Sequence, residues 1–453
     1  MFTEYTGLDS KTKAETMVIT GFIKKTLGPL ADRAQCFYPL VILVGLLMLD
    51  IGPVRADEPF AYQHVVSKAR QLAESPFQKP EGAVPKWLTE ISYEQWQTIS
   101  HKNEKSLWRM EHLPFEVQLF HLGYHYNLPV RINVIDSGNV HPINYSTDFF
   151  DFSQIELKEK LPEDMAFAGF KLLYPLNSAK QLDEVMIFLG ASFFRAVGKG
   201  QRFGLSARGL AVDTAQPSGE EFPYFKEFWL QKPTDQSQQI VVFGLLDSPS
   251  TTGAYKITII PGKDTIVNVE STLFQRHLVQ KLGLAPLTSM FYYGENTNWH
   301  VADNYRPEIH DSDGLSIHSG GGEWLWRPLT VTDRLLVNAF TVTNPQGFGL
   351  MQRDLNFDHY QDLDSRFDLR PSAWVIPKGS WGEGHVELIQ IPTPSEIHNN
   401  VVAFWVPNSI PERGQPIELA YSILWHRADF KSSHAGRVVS TRSGKGRDEL
   451  ERR

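Results

Sequence analysis

From residue 115 onward, apolar and polar residues alternate in short runs. Phe115, Val117 and Leu119 are interleaved with Glu116 and Gln118, and Val130, Ile132 and Val134 with Arg131 and Asn133. A period of two puts one set of side chains on each face of an extended chain, so these runs predict strands. Residues 255–260 and 265–269, joined by Pro-Gly-Lys-Asp, predict a hairpin, and further strands are expected at 240–246, 385–391, 401–406 and 417–425. One helical period stands out: Val65, Val66, Ala69, Leu72 and Ala73 mark a face of residues 61–74, and a shorter amphipathic piece follows at 93–99. Many closely spaced strands, few helices and 28 prolines predict an all-β fold, a large many-stranded β-sandwich. There is no internal repeat and no low-complexity tract.

One stretch breaks the alternation. Residues 304–326 read NYRPEIHDSDGLSIHSGGGEWLW and gather Arg306, the carboxylates of Glu308, Asp311, Asp313 and Glu323, two histidines and Trp324 and Trp326. Glycines 320–322 let the backbone take positive φ and approach a ligand closely. Flat aromatic faces beside acids and an arginine suit a sugar, which has an apolar face and a polar rim. A hydrogen-bonded loop around a buried ion pair has the same composition.

Composition narrows the classes. The net charge of −8 and pI near 6.0 exclude the basic stripe that a nucleic-acid partner requires. At the N-terminus, Lys24, Lys25 and Arg33 precede a 13-residue apolar run, 37–49, then Gly52-Pro53 and the small-residue site Val54-Arg55-Ala56. That run is short of the ~20 residues that span a bilayer and matches a signal peptide, 1–56, cleaved after Ala56; a retained anchor is the other reading. No twin-arginine pair precedes it, which favours general secretion. The single cysteine, Cys36, precedes the run. A mature chain without cysteine has no disulfide, thiol nucleophile or thiolate-bound metal, and fits a periplasm. The polar segment 440–453 cannot build a core, so 431–453 is expected to be a linker and disordered tail.

Longer motifs carry a resemblance across nearly the whole of residues 57–430. GFKLLYPLNS (169–178), GLSARGLAVDTA (204–215), SGEEFPYFKEFW (218–229), LLDSPSTTGAYK (245–256), 304–329, NPQGFGLMQR (344–353) and FDLRPSAWVIPKG (367–379) resemble the osmoregulated periplasmic glucan biosynthesis proteins of Gram-negative bacteria. Among them the chain is closer to the G type than to the twin-arginine-exported D type. The resemblance implies a galactose-mutarotase-like β-sandwich followed by an immunoglobulin-like domain. That second domain would begin near Thr441, so a C-terminal truncation is expected. It implies a β-1,2-glucan ligand and points to the inner-membrane glucan synthase as a partner. Some members are inverting endo-β-1,2-glucanases.

Inverting hydrolysis needs a general acid and a general base on opposite sides of the scissile bond. By resemblance the base falls on Asp311. The acid falls on Asn399, within IPTPSEIHNNVVAFW, where hydrolytic members carry aspartate, and a site tyrosine falls on Phe367. An amide does not protonate a leaving oxygen, and loss of a general acid costs ~10²–10⁴-fold in rate. Glucan binding with weak or no hydrolysis is therefore expected. An active enzyme using Glu396, Asp362 or Asp364 as substitute acid, and a scaffold for the synthase, are the other readings. Tyr305, Arg306, Glu308, Asp313, Trp324, Trp326, Arg353, Asp362, Asp364 and Arg370 are the candidate binding residues. Arg306 and Glu308 either bind hydroxyls or pair with each other. Arg208 and Asp213 read as a structural pair, and Glu220 and Glu221 as a cleft edge. Asp311, Asp313 and Gly314 echo a calcium loop, but Leu315 and Gly322 occupy ligand positions, so no metal is expected. Motifs for nucleotide, serine-hydrolase or zinc-protease chemistry are absent, and no cofactor is expected.

Overall fold

The computed structural model describes residues 59–80, 84–156, 161–297, 303–427, 438 and 441–442. The expected signal peptide, 1–56, lies outside the described residues, as does the expected tail, 431–453, apart from Val438, Thr441 and Arg442.

Two large sheets make the body. The first has ten strands, running Glu116–Phe120, Gly169–Ser178, Gln181–Leu189, Phe193–Ala196, Ser206–Arg208, Leu282–Ser289, Val401–Pro407, Glu383–Gln390 and Leu336–Thr343, with Ala211–Val212 pairing beside Leu282–Ser289. The second has eleven: Trp324–Pro328, Gly314–His318, Gly347–Met351, Ser372–Pro377, Ile417–His426, Thr265–Gln275, Thr251–Ile260, Ile240–Asp247, Tyr224–Gln231, Arg131–Asp136 and Asn139–Pro142. Neighbours are antiparallel except Tyr224–Gln231 with Arg131–Asp136. One continuous core unites both sheets, with Phe170, Leu172 and Phe188 from the first and Phe228, Ile257, Val267 and Val269 from the second. The expected β-sandwich is present.

The hairpin forms in the register its pattern dictates, with Ile260 opposite Ile266. Val267 and Val269 face the core while Ile266 and Glu270 face out. The predicted helix spans Tyr62–Ala73, and Val65 and Ala69 are fully buried against Trp229, Phe243, Ala254 and Phe274 on the outer face of the second sheet. At Glu116–Phe120 the polar alternates are buried too. Glu116 pairs with Arg109, and Gln118 donates to Asn103 and Ser106, so the segment before this strand covers its second face with satisfied polar groups. Among the described residues, no helix is long and apolar enough to cross a membrane.

Candidate functional site

The stretch 304–326 runs out of a small two-stranded ladder, in which Ile309–His310 pairs with Phe291–Tyr293, and into the strand Gly314–His318. Asp311 lies between these strands. Its backbone N–H donates to the Met290 carbonyl at 2.8 Å, and its buried carboxylate is gripped by Nη1 of Arg370. The Arg370 guanidinium lies over the Phe367 ring, 4.1 Å from its centroid. Phe367 is itself buried with Met290, Tyr293, Ile309 and Tyr360. Arg370 also lines an open groove of about 1300 Å³, whose other walls include Tyr93, Asn177, Asp183, Gln201, Arg202 and Asp364. A carboxylate that is out of water and paired thus reaches the groove through its arginine.

A second cluster centres on Arg306. Its Nη1 donates to Asp362 at 2.7 Å and reaches Glu396 at 2.9 Å, while Nε donates to Asn304 at 3.1 Å. Burial alone would raise the Asp362 carboxyl. The Ser365 and Asp364 backbone N–H groups and the Arg306 guanidinium outweigh it and hold the group below the usual carboxylate range. Three large side chains beside this cluster, Tyr305, Leu363 and Ile397, are each at least 74% exposed, so an ionic knot is flanked by open apolar surface.

A third cluster lies along the other wall of the stretch. His310 is buried, stacked on Phe291 and set edge-on to Tyr360. Its Nδ1 is 3.0 Å from Oε1 of Gln352, and its Nε2 is 2.9 Å from Glu308 and 3.8 Å from Asp313. The Gln352 amide is oriented by three acceptors of its Nε2: the His310 carbonyl, the Tyr360 hydroxyl and the Phe367 carbonyl. Burial opposes a charge on the imidazole, but Asp313 and Glu308 prevail and raise its pKa to about 9. Asp313 also accepts the backbone N–H groups of Arg353 and Asp354. Glu308, His310 and Asp313 line a pocket of about 340 Å³ with Glu295, Trp326 and Arg353.

In the strand Trp324–Pro328, Leu325 packs on the core and both tryptophans lie on the opposite face. Trp324 stacks on His318 at 4.2 Å and on Trp374 at 5.5 Å. The Arg353 guanidinium covers the Trp326 ring at 3.4 Å and donates to the Val438 carbonyl at 2.7 Å. Asn399 is exposed in the loop before Val401–Pro407. Its neighbour Asn400 is buried and braces that loop by bonding the backbone N–H and carbonyl of Phe291 and the carbonyl of Ile391, each within 3.0 Å.

Residues 60–453 match the sequence model of the family described as "Periplasmic glucan biosynthesis protein, MdoG". The chain belongs to this family. It is 48% identical over 405 residues to the glucans biosynthesis protein G of Ralstonia nicotianae, covering 89% of this chain and 80% of the relative. It is 50% identical over 366 residues to the proteins of that name from Pseudomonas paraeruginosa and Pseudomonas aeruginosa, covering 81% of this chain and 70% of each relative.

Within this member of the MdoG family, several pairings differ from those the sequence suggested. Arg306 and Glu308 do not pair with each other: proline 307 separates them, and they take partners in different clusters. Arg208 pairs with Glu220 at 2.5 Å rather than with Asp213, which accepts the Lys281 backbone N–H instead. Glu220 is therefore held structurally, and Glu221 accepts Ser250. Arg353 turns to Trp326 and Arg370 to Asp311, leaving Asp362 to Arg306. Glu295 lies in no motif or periodic run, and Gln352 (within 344–353) and Tyr93 (within 93–99) carried no chemical role in the sequence; only the folded chain brings them to these surfaces.

Proposed function

We propose that this periplasmic glucan biosynthesis protein holds a β-1,2-glucan backbone in the groove beside Asp311 and Arg370, with hydrolysis that is weak or absent. The observation that carries the reading is the Asp311–Arg370 pair at the groove wall, with an amide at Asn399. Glu396, three residues before Asn399, shares one arginine with Asp362, and Asp362 is held ionised. An acid that gives up a proton near neutrality needs the opposite shift. The relatives' name, glucans biosynthesis protein G, supports a glucan ligand.

Substitution Asn399→Asp, assayed by reducing ends released from linear β-1,2-glucan, tests this. A rise of ~10²-fold or more is expected. Equal activity before and after, with wild-type turnover already high, would favour the second reading, in which Glu396, one-third exposed and within reach of Arg306, serves as acid. Export by general secretion with cleavage after Ala56 accompanies this role; N-terminal sequencing of the protein recovered from the periplasm tests it.

A further inference from the structure

The His310 imidazole is built like a metal ligand. Gln352 presents its carbonyl oxygen to Nδ1, because its amide nitrogen is committed to three acceptors. One ring proton therefore resides on Nδ1, and the position at Nε2, facing Glu308 and Asp313, is left to a second proton or to a metal cation. Two buried carboxylates facing Nε2 need a positive charge between them, which either a proton or a metal cation supplies. Donation of the remote imidazole N–H to an amide carbonyl is the outer contact that fixes ligating histidines.

We propose that Glu308, His310 and Asp313 hold a divalent transition-metal cation of the zinc or manganese class. The three donor atoms lie within 4.8 Å of one another. Zinc with nitrogen and oxygen ligands at about 2.0–2.2 Å sets its donor atoms roughly 3–3.5 Å apart. The separations of 2.9 and 3.8 Å from Nε2 bracket that spacing. One imidazole and two carboxylates, without a thiolate, suit zinc and manganese. Asp313 is preset for the role, since the backbone N–H groups of Arg353 and Asp354 hold its Oδ2 and leave Oδ1 turned to the histidine. The narrow pocket they line leaves the remaining coordination positions to water. Glu308 also belongs to a second group with Asp354 and His359, but those two residues do not line the pocket and are bonded to each other at 2.5 Å. The proposal departs from the no-metal expectation drawn from the calcium-loop spacing, which counts along the chain and does not register an imidazole two residues from Glu308.

The competing occupant is a proton. Tag-free full chain, stripped with EDTA and dialysed, is titrated with ZnCl₂ and then MnCl₂ by calorimetry, with elemental analysis of the loaded protein. One equivalent of zinc per chain is expected. Glu308→Gln and Asp313→Asn, both keeping an acceptor and checked for folding by circular dichroism, should weaken binding at least tenfold, and His359→Ala less than twofold. Zinc should also shift the Nε2 resonance of His310 in ¹⁵N spectra, assigned with His310→Gln. No zinc uptake by the wild type, equal affinity in all variants, loss confined to His359→Ala, or a His310 ring protonated on both nitrogens and indifferent to zinc would each overturn the proposal.

Discussion

Arg370 and Asp311, 59 residues apart in the chain, form an ion pair whose carboxylate is 5% exposed and whose guanidinium is 17% exposed. The guanidinium covers the Phe367 ring, and Arg370 lines the groove. Arg370 Nε also donates to the Ser365 carbonyl at 3.3 Å, which anchors the cation beside its carboxylate.

Removing one partner of a buried pair leaves an uncompensated charge. Arg370→Ala is expected to cost about 3–5 kcal/mol of stability. Urea unfolding reads this as a lower midpoint at unchanged slope. Asp311→Asn with Arg370→Met should recover much of the loss. A single Arg370→Ala variant as stable as wild type would show that Asp311 is not held by this contact.

Acid should weaken the fold through histidines that are buried neutral. His121 bonds the Leu122 carbonyl through Nδ1 and the Tyr145 hydroxyl through Nε2, and burial depresses its pKa to about 4. An unfolded histidine titrates near ~6.5. Between these values the unfolded chain binds the proton and the folded chain does not, so stability falls as pH drops from about 6.5 to about 4. The loss from this residue alone is roughly 3 kcal/mol at the acid end. His121→Gln should flatten the dependence of the urea midpoint on pH in that window. An unchanged slope in the variant would contradict the assignment.

Gly314 seats the tryptophan face. A methyl group there would lie 2.5 Å from the Trp326 ring and 2.6 Å from the Arg327 carbonyl. Gly314→Ala therefore forces the ring off its position against Arg353 and should cost about 1–3 kcal/mol. Thermal unfolding and the tryptophan emission maximum should shift together. Stability and emission both equal to wild type would refute the contact.

The sequence by itself determined the fold class and most strand positions, because a period of two and a period of 3.6 are local properties that burial on one face enforces. Val65 and Ala69 on the helix, and Val267 and Val269 on the hairpin, needed only their neighbours to be read. It also singled out the stretch around Asp311, because density of chemistry is visible along a chain. Which charge meets which was not legible. Arg306 meets Asp362 and Glu396 across 56 and 90 residues, and Arg370 meets Asp311 across 59, because strand order and loop paths, not sequence spacing, set those distances. Only the tertiary structure decided that Gln352 fixes the imidazole of His310 and that one dense stretch serves a groove, an ionic knot and a pocket. The physical reason is that a paired or ligating side chain is selected by three-dimensional proximity in a medium where an unpartnered charge is too costly to bury.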